Sequence, residues 1–451
     1  MSAEPAEMPP RITLRRSISF VDIVMLGAGS ALGFAIFSAL GPAAQIGGSG
    51  ILITIVISAL PMAVFGVVYA FMASASPRSG ASFEWPREYI HPFVGFMLSW
   101  LRIFGSVGQL TTIAVVLVQY LSMAVALPVK PAMFALFTAI FLLNLRGVKV
   151  AARAQTLLMS LLIGVFALFI VTGAPAVRAA NILPLMPHGI WPILLAAPLM
   201  INLFMGIESA TEVSEEVHDA ERNVPLSIGL SLLLIAVVYL GVTFTAVGLI
   251  GADALGASKA PLVDAARRAV GGLALPLMLG AALLSLVKAM NASFLIFSRS
   301  FFAMGRAGVL PRQLANLSGP NETPRLAIVT SYICLCTGLF LPQGLVFLFL
   351  ASNIPTILKY LCTCTAALAV VQRRPDVYAK ARLRLSRPVV RALSIFGMLL
   401  ALGLFALGYE SDWRPYALVG GWAGVGLIYW FVDGRRRHRL TNRAQQAGRA
   451  A

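Results

Sequence analysis

Residues 27–37 read GAGSALGFAIF, an apolar stretch with three glycines and a serine where a membrane helix ordinarily takes leucine and alanine. Its surroundings are equally apolar: of 451 residues, 59% are hydrophobic and 12% charged, about half the charged share of an ordinary globular domain. In hydrocarbon an unpartnered amide or carbonyl costs several kcal/mol, so a broken helix persists only where its freed groups line a cavity or bind something. Such a break would offer N–H groups to an anion and carbonyls to a cation. The alternative is that the glycines let neighbouring helices approach closely. On this stretch alone both readings stand.

Outward from it, apolar runs recur at about 19–46, 49–75, 92–125, 132–146, 154–175, 192–214, 225–251, 271–302, 325–342, 345–371, 391–409 and 415–433. Most approach or exceed the roughly 20 residues that span a bilayer core. The sequence therefore predicts twelve transmembrane helices, with 132–146 the shortest. The net charge of +17 raises the question of nucleic acid, but its placement answers in terms of membrane topology. With the N-terminus inside, the outer connections carry only Lys130, Arg178, Lys259, Arg267, Arg268 and Arg414. Arg102, Lys288 and Lys359 fall deep inside apolar runs, and the rest of the 35 basic residues lie in inner connections, tails and the inner ends of the adjoining runs. That asymmetry predicts cytoplasmic termini, with Arg373–Arg391 and GRRRHRL (434–440) near anionic head groups. The first run is too long for a signal-peptide core and is expected to stay attached. The four cysteines, in CLC (334–336) and CTC (362–364), match neither disulfide nor zinc spacing and read as small packing residues.

No linker divides the chain, and the organisation expected is a cytoplasmic tail 1–18, a helical membrane core 19–371, a basic loop 372–390, two more helices within 391–433 and a basic tail 434–451. A second glycine-interrupted run, NLFMGIESATEVSEEV (202–217), lies five segments after the first. Interrupted segments at corresponding places in two halves point to an inverted-repeat transporter with its substrate site near the bilayer midplane. Glu208 sits within that second run, and an intramembrane carboxylate is a functional candidate because its burial is costly; a protonated cap or a structural ion pair is the alternative.

With GSALGFAIF (29–37), SPRSGASFEWPREYIHPFVGFMLSW (76–100), FMGIESATEVSEEVHDAERNVPLSI (204–228) and SRSFFAMGRAGVLP (298–311) in view, the chain resembles the amino acid–polyamine–organocation (APC) superfamily of permeases over nearly its whole length. The resemblance implies an all-α integral membrane protein of 5+5 inverted repeats plus two C-terminal helices, with helices one and six unwound. It also implies alternating-access transport of an amino acid or related amine, by proton symport or by exchange. Substrate contacts would come from Ser30, Ala31, Leu32, Gly33, Phe34, Ala35, Asn202, Phe204, Met205, Gly206 and Ser293. The family's first-helix pattern is similar to I-G-S-G-I-F, whereas L-G-F-A-I-F here puts Phe34 and Ala35 in place of the small pair. Asn202 stands where relatives carry an aromatic gate, and Ser293 where some carry an aromatic in the eighth helix.

Relatives place a coupling lysine in the fifth helix, where this chain has Leu162. Lys288, with Ser285 in SLVKAMN (285–291), could reach the same point from the eighth helix, or else snorkel to the aqueous boundary. Arg102 stays charged and must face water, the pore, a substrate carboxylate or Glu208; Lys359 is weighed in the same way. The acids Glu212, Glu215, Glu216, Asp219 and Glu221 read as an inner-gate ion-pair network or a solvated helix end, and the sequon at Asn321 falls in an inner loop. His91, His188, His218 and His438 show no metal-ligand spacing, and no nucleophile–base pair emerges. The expectation is a non-enzymatic carrier in a bacterial inner membrane with no metal and no cofactor. Its coupling ion would be the proton, with sodium left open. Its partners would be a small amino acid or amine and anionic lipids, not nucleic acid. A sensor that binds without transporting is the competing class.

Overall fold

The computed structural model of the chain describes residues 19–77, 81–123, 125–145, 152–212, 217–306, 310–316 and 324–450. Among them the backbone is helical with no strand. The first half holds α1 (Phe20–Ala31), α2 (Phe34–Gly47), α3 (Ile51–Ala75), α4 (Ala81–Tyr89), α5 (Pro92–Leu121), α6 (Val129–Leu145), α7 (Ala152–Gly173) and α8 (Ala179–Ile182). Next come α9 (Ile190–Met200), α10 (Ser209–Glu212), α11 (Ala220–Ile250), α12 (Ala252–Ala257), α13 (Pro261–Val270) and α14 (Ala274–Arg306). The chain closes with α15 (Arg325–Cys336), α16 (Leu345–Arg373), α17 (Pro375–Lys380), α18 (Arg387–Ser411) and α19 (Arg414–Ala450). Eight helical stretches are long and apolar enough to cross a membrane, and the other apolar runs hold shorter helices, among them α6 and α15.

Local chemistry sets the ends of these helices. Ser19 and Asp22 form a capping box at α1, each side chain accepting the other's backbone N–H. His91 caps α5 through Nδ1, with Pro92 at the first helical position, where a missing N–H costs nothing. Helix α19 runs on to Ala450, so the backbone of the basic segment from residue 434 is helical. Apolar residues stop there, but no proline follows, and Arg, Ala and Gln sustain a helix once it has begun.

Packing proceeds by close approach at small residues. A Cβ on Gly105 or Gly108 of α5 would meet Pro355 or Ser352 of α16 at 3.1 and 3.2 Å. Likewise Gly397 of α18 abuts Cys364 Sγ, so this cysteine acts as a packing residue. Trp100 of α5 and Trp422 of α19 stack at 4.7 Å, each indole N–H donating to the other's carbonyl at 2.8 Å. Helices five apolar runs apart lie side by side: α2 on α9, α3 on α11, α5 on α14 and α6 on α15. The two broken segments consequently lie against each other, α1 on α10 and α2 on the Ile201–Leu203 turn. Opposite the chain's N-terminus, a cavity of about 510 Å³ opens between α2, the α12–α13 link and residues 342–347. Its wall includes Phe37 and Ser38, one turn beyond Gly33.

Candidate functional site

The first break spans Leu32 and Gly33. Helix α1 closes on Ala31, where the Leu32 N–H still donates to the Ala28 carbonyl, and α2 restarts at Phe34 with no side chain capping its N-terminus. A tyrosine from α11 bridges the gap. The Tyr239 hydroxyl donates to the Ala31 carbonyl (2.7 Å) and accepts the Gly33 N–H (3.2 Å), satisfying one freed group on each side. Gly33 also lies against α14: a Cβ there would come within 2.9 Å of Ser285 Oγ, a buried hydroxyl with no hydrogen-bond partner. Ala31, Leu32 and Ala35 are buried; the side chains of Ser30 and Phe34 lie outside the described residues.

The second break is longer. Helix α9 tightens into a 3₁₀ turn at Ile201–Leu203, and turns carry the chain through residues 204–208 before α10. Side chains take up the released carbonyls. Asn202 donates to Leu199 (3.0 Å) within its own helix, and Asn353 of α16 donates to Pro198 (2.7 Å). Asn202 therefore serves a freed carbonyl within its own segment, not a neighbouring helix. Gly206 adopts φ 111°, a left-handed conformation that a side chain would strain. Phe204 is buried, whereas Met205 and Gly206 are half-buried.

Glu208 fills this break. Its Oε2 accepts the Gly206 N–H at 3.0 Å, and its Oε1 accepts from the Lys359 ammonium at 2.6 Å. The side chains of Lys359 and Glu208 are 16% and 9% exposed, so this is an ion pair largely withdrawn from water. A buried charge is tolerable only with such a partner. The ammonium also sits 4.9 Å over the neighbouring Tyr360 ring.

The remaining candidates are spread more widely. Arg102 is exposed on α5, and the partner of Glu208 is Lys359. Lys288 is half-buried on α14, one turn past Ser285, and its ammonium approaches Met159 Sδ of α7 at 3.8 Å, three residues from Leu162. Ser293 is half-buried two turns further along α14. Of the acidic cluster, Asp219 pairs with Arg382; Glu215 and Glu216, the Glu212 side chain and the sequon at Asn321 lie outside the described residues. No group of three potential His, Cys, Asp or Glu metal ligands occurs among the described residues.

Two residues enter the site that the sequence did not single out, Asn353 and Tyr239, and a third, Lys359, which it weighed beside Arg102, is the partner of Glu208. Lys359 carried a signal, as an ionisable residue in an apolar run, but nothing in the chain ranks it above Arg102 or Lys288. Asn353 is likewise a polar residue in an apolar helix. Tyr239 gave none, because an aromatic in a membrane helix is ordinary until its hydroxyl is seen to bridge a break.

Comparison with known proteins identifies the family. The family model described as Amino acid permease matches residues 18–432. An uncharacterized transporter of Mycobacterium tuberculosis is 29% identical, aligned over 71% of this chain and 72% of its own length. The methylthioribose transporter of Bacillus subtilis is 25% identical over 96% of each chain. A branched-chain amino acid permease of the same bacterium is 25% identical over 95% of each.

Proposed function

The chain belongs to the amino acid permease family, and from that premise we propose that it is a secondary active transporter of an amino acid or related amine, working by alternating access. The observation that carries the reading is the apposition of two backbone breaks, at Gly33 and Gly206, with the Glu208 carboxylate standing in the second. Unsatisfied amides at the start of α2 suit a carboxylate, and Glu208 suits an ammonium. The cavity walled by Phe37 and Ser38, one turn beyond Gly33, would be the entrance from the face opposite the N-terminus.

The finer architecture belongs to the same proposal. Twelve spans in two inverted five-helix repeats, plus α18 and α19, account for the pairing of α2 with α9, α3 with α11, α5 with α14 and α6 with α15. The basic inner connections favour a bacterial inner membrane with both termini cytoplasmic. For coupling we assign the proton, with Lys288 as the titrating cation between α14 and α7, its contact a thioether that offers no countercharge.

Purified protein in liposomes tests this with radiolabelled L-leucine, methylthioribose and isoamylamine, the last a leucine without its carboxylate. Leucine should accumulate when the outside is acidic; each pH unit supports at most about tenfold accumulation for one proton per substrate. Uptake that requires preloading with unlabelled substrate would make the protein an exchanger, and binding without flux in either mode would make it a sensor. Lys288→Ala should flatten the pH dependence of uptake, and an unchanged profile removes Lys288 from coupling.

A further inference from the structure

Glu208 is a carboxylate buried at the place where substrate is proposed to sit. Its counter-ion comes from a different helix. Lys359 belongs to α16, a continuous helix packed on α5 and α18, whereas Glu208 belongs to the turn between α9 and α10, which packs with α1, α2 and α3. The pair thus joins the broken segment to a continuous helix outside it. Among the described residues the oxygen that accepts from the Lys359 ammonium is Glu208 Oε1, so the two charges compensate one another.

Resting on the transporter reading above, we propose that Lys359 is an internal substitute for the substrate's ammonium, which keeps Glu208 paired in the empty carrier and lets that empty carrier reorient. Two states must cross between inward-facing and outward-facing forms during net transport, the loaded and the empty. With substrate bound, its ammonium neutralises Glu208. Without it, a carrier lacking Lys359 would hold an uncompensated carboxylate in a site that closes to water, and reorientation would be strongly disfavoured. Such a carrier could cross only when loaded, which is the definition of an obligate exchanger. Lys359 at 2.6 Å removes that restriction, so the structure assigns net transport to this chain. The pair is also reversible: Lys359 reaches Glu208 on a long flexible stem that withdraws when an arriving ammonium takes its place at the carboxylate.

Paired flux measurements on the full chain in proteoliposomes test this, with L-leucine as probe. Wild-type protein should show net uptake into empty vesicles at a rate within about tenfold of uptake into leucine-loaded vesicles. Lys359→Ala should lower net uptake by about 100-fold while exchange falls far less, and Lys359→Arg should restore net uptake. Equal loss of both fluxes in Lys359→Ala would overturn the proposal by making the pair structural, and retained net uptake would overturn it by making the pair irrelevant. Should the alanine variant fail to fold, wild-type efflux decides alone. Efflux into leucine-free medium comparable to efflux into leucine-containing medium supports the proposal, and efflux that requires external leucine defeats it. Transport of isoamylamine in place of leucine leaves the carrier reading intact and is measured in the same two modes. Wild-type vesicles inert to both compounds in both modes would defeat the carrier reading and this inference with it.

Discussion

Gly33 meets two side chains, Tyr239 of α11 and Ser285 of α14, and each can be removed separately. Tyr239→Phe deletes the hydroxyl that serves the Gly33 N–H and the Ala31 carbonyl, leaving two buried backbone groups unmet. The expected cost is about 2 kcal/mol, read as a lower unfolding midpoint in detergent, with weakened substrate binding because the break loses its brace. Gly33→Ala drives a methyl to within 2.9 Å of Ser285 Oγ. Uptake should fall sharply while the protein still folds, and Ser285→Ala in the same chain should recover part of it by clearing the clash. No recovery would mean that Gly33 is needed for something other than space. These residues show how the sequence informs and where it stops. Gly33, Gly206 and Glu208 were legible because glycines and a carboxylate are costly in an apolar run. Tyr239 and the choice of Lys359 over Arg102 were not, since which side chain reaches a break depends on how distant helices dock.

At the scale of elements, the breaks were legible and their satisfaction was not. Composition locates an interruption near residue 33 and another near residue 206, but the caps that make each tolerable come from α11 and α16. The attachment of α19 to α5 was equally hidden, since tryptophan in a membrane helix ordinarily signals an interface with lipid. Here Trp100 and Trp422 exchange indole hydrogen bonds instead. Replacing either by phenylalanine should cost about 1 kcal/mol, and the double variant should cost less than the sum, a coupling that a double-mutant cycle in detergent would measure. The turn between α18 and α19 is tied by Asp412, which accepts the Arg414 backbone N–H and two guanidinium hydrogen bonds. The Arg414 guanidinium holds the Asp412 carboxyl below its ordinary range. A depressed carboxyl contributes stability above its unfolded value of about 3.9 and loses it as pH falls through the lower folded value. The loss on Asp412→Asn should therefore be constant between about pH 5 and 8 and shrink only in stronger acid; a loss that varies across neutral pH would contradict the pairing.

For the whole molecule, the pairing of helices five runs apart places two interrupted segments back to back, and from this placement the functional reading follows. The apolar runs of the chain were sufficient to anticipate a helical membrane protein, and the resemblance carried by its four motifs anticipated the permease class. They were insufficient to say what balances Glu208, because that needs the relative depth of α10 and α16. The central claim is that the breaks form one substrate site, and the most direct measurement of it is substrate protection of a cysteine placed at Met205, half-buried beside Gly206, in a chain whose four native cysteines are replaced. Leucine should slow maleimide labelling of that cysteine at concentrations matching half-saturation of uptake, and leave a cysteine at exposed Leu418 unaffected. Equal labelling of the Met205 cysteine with and without leucine, in a protein that still transports it, would contradict the account.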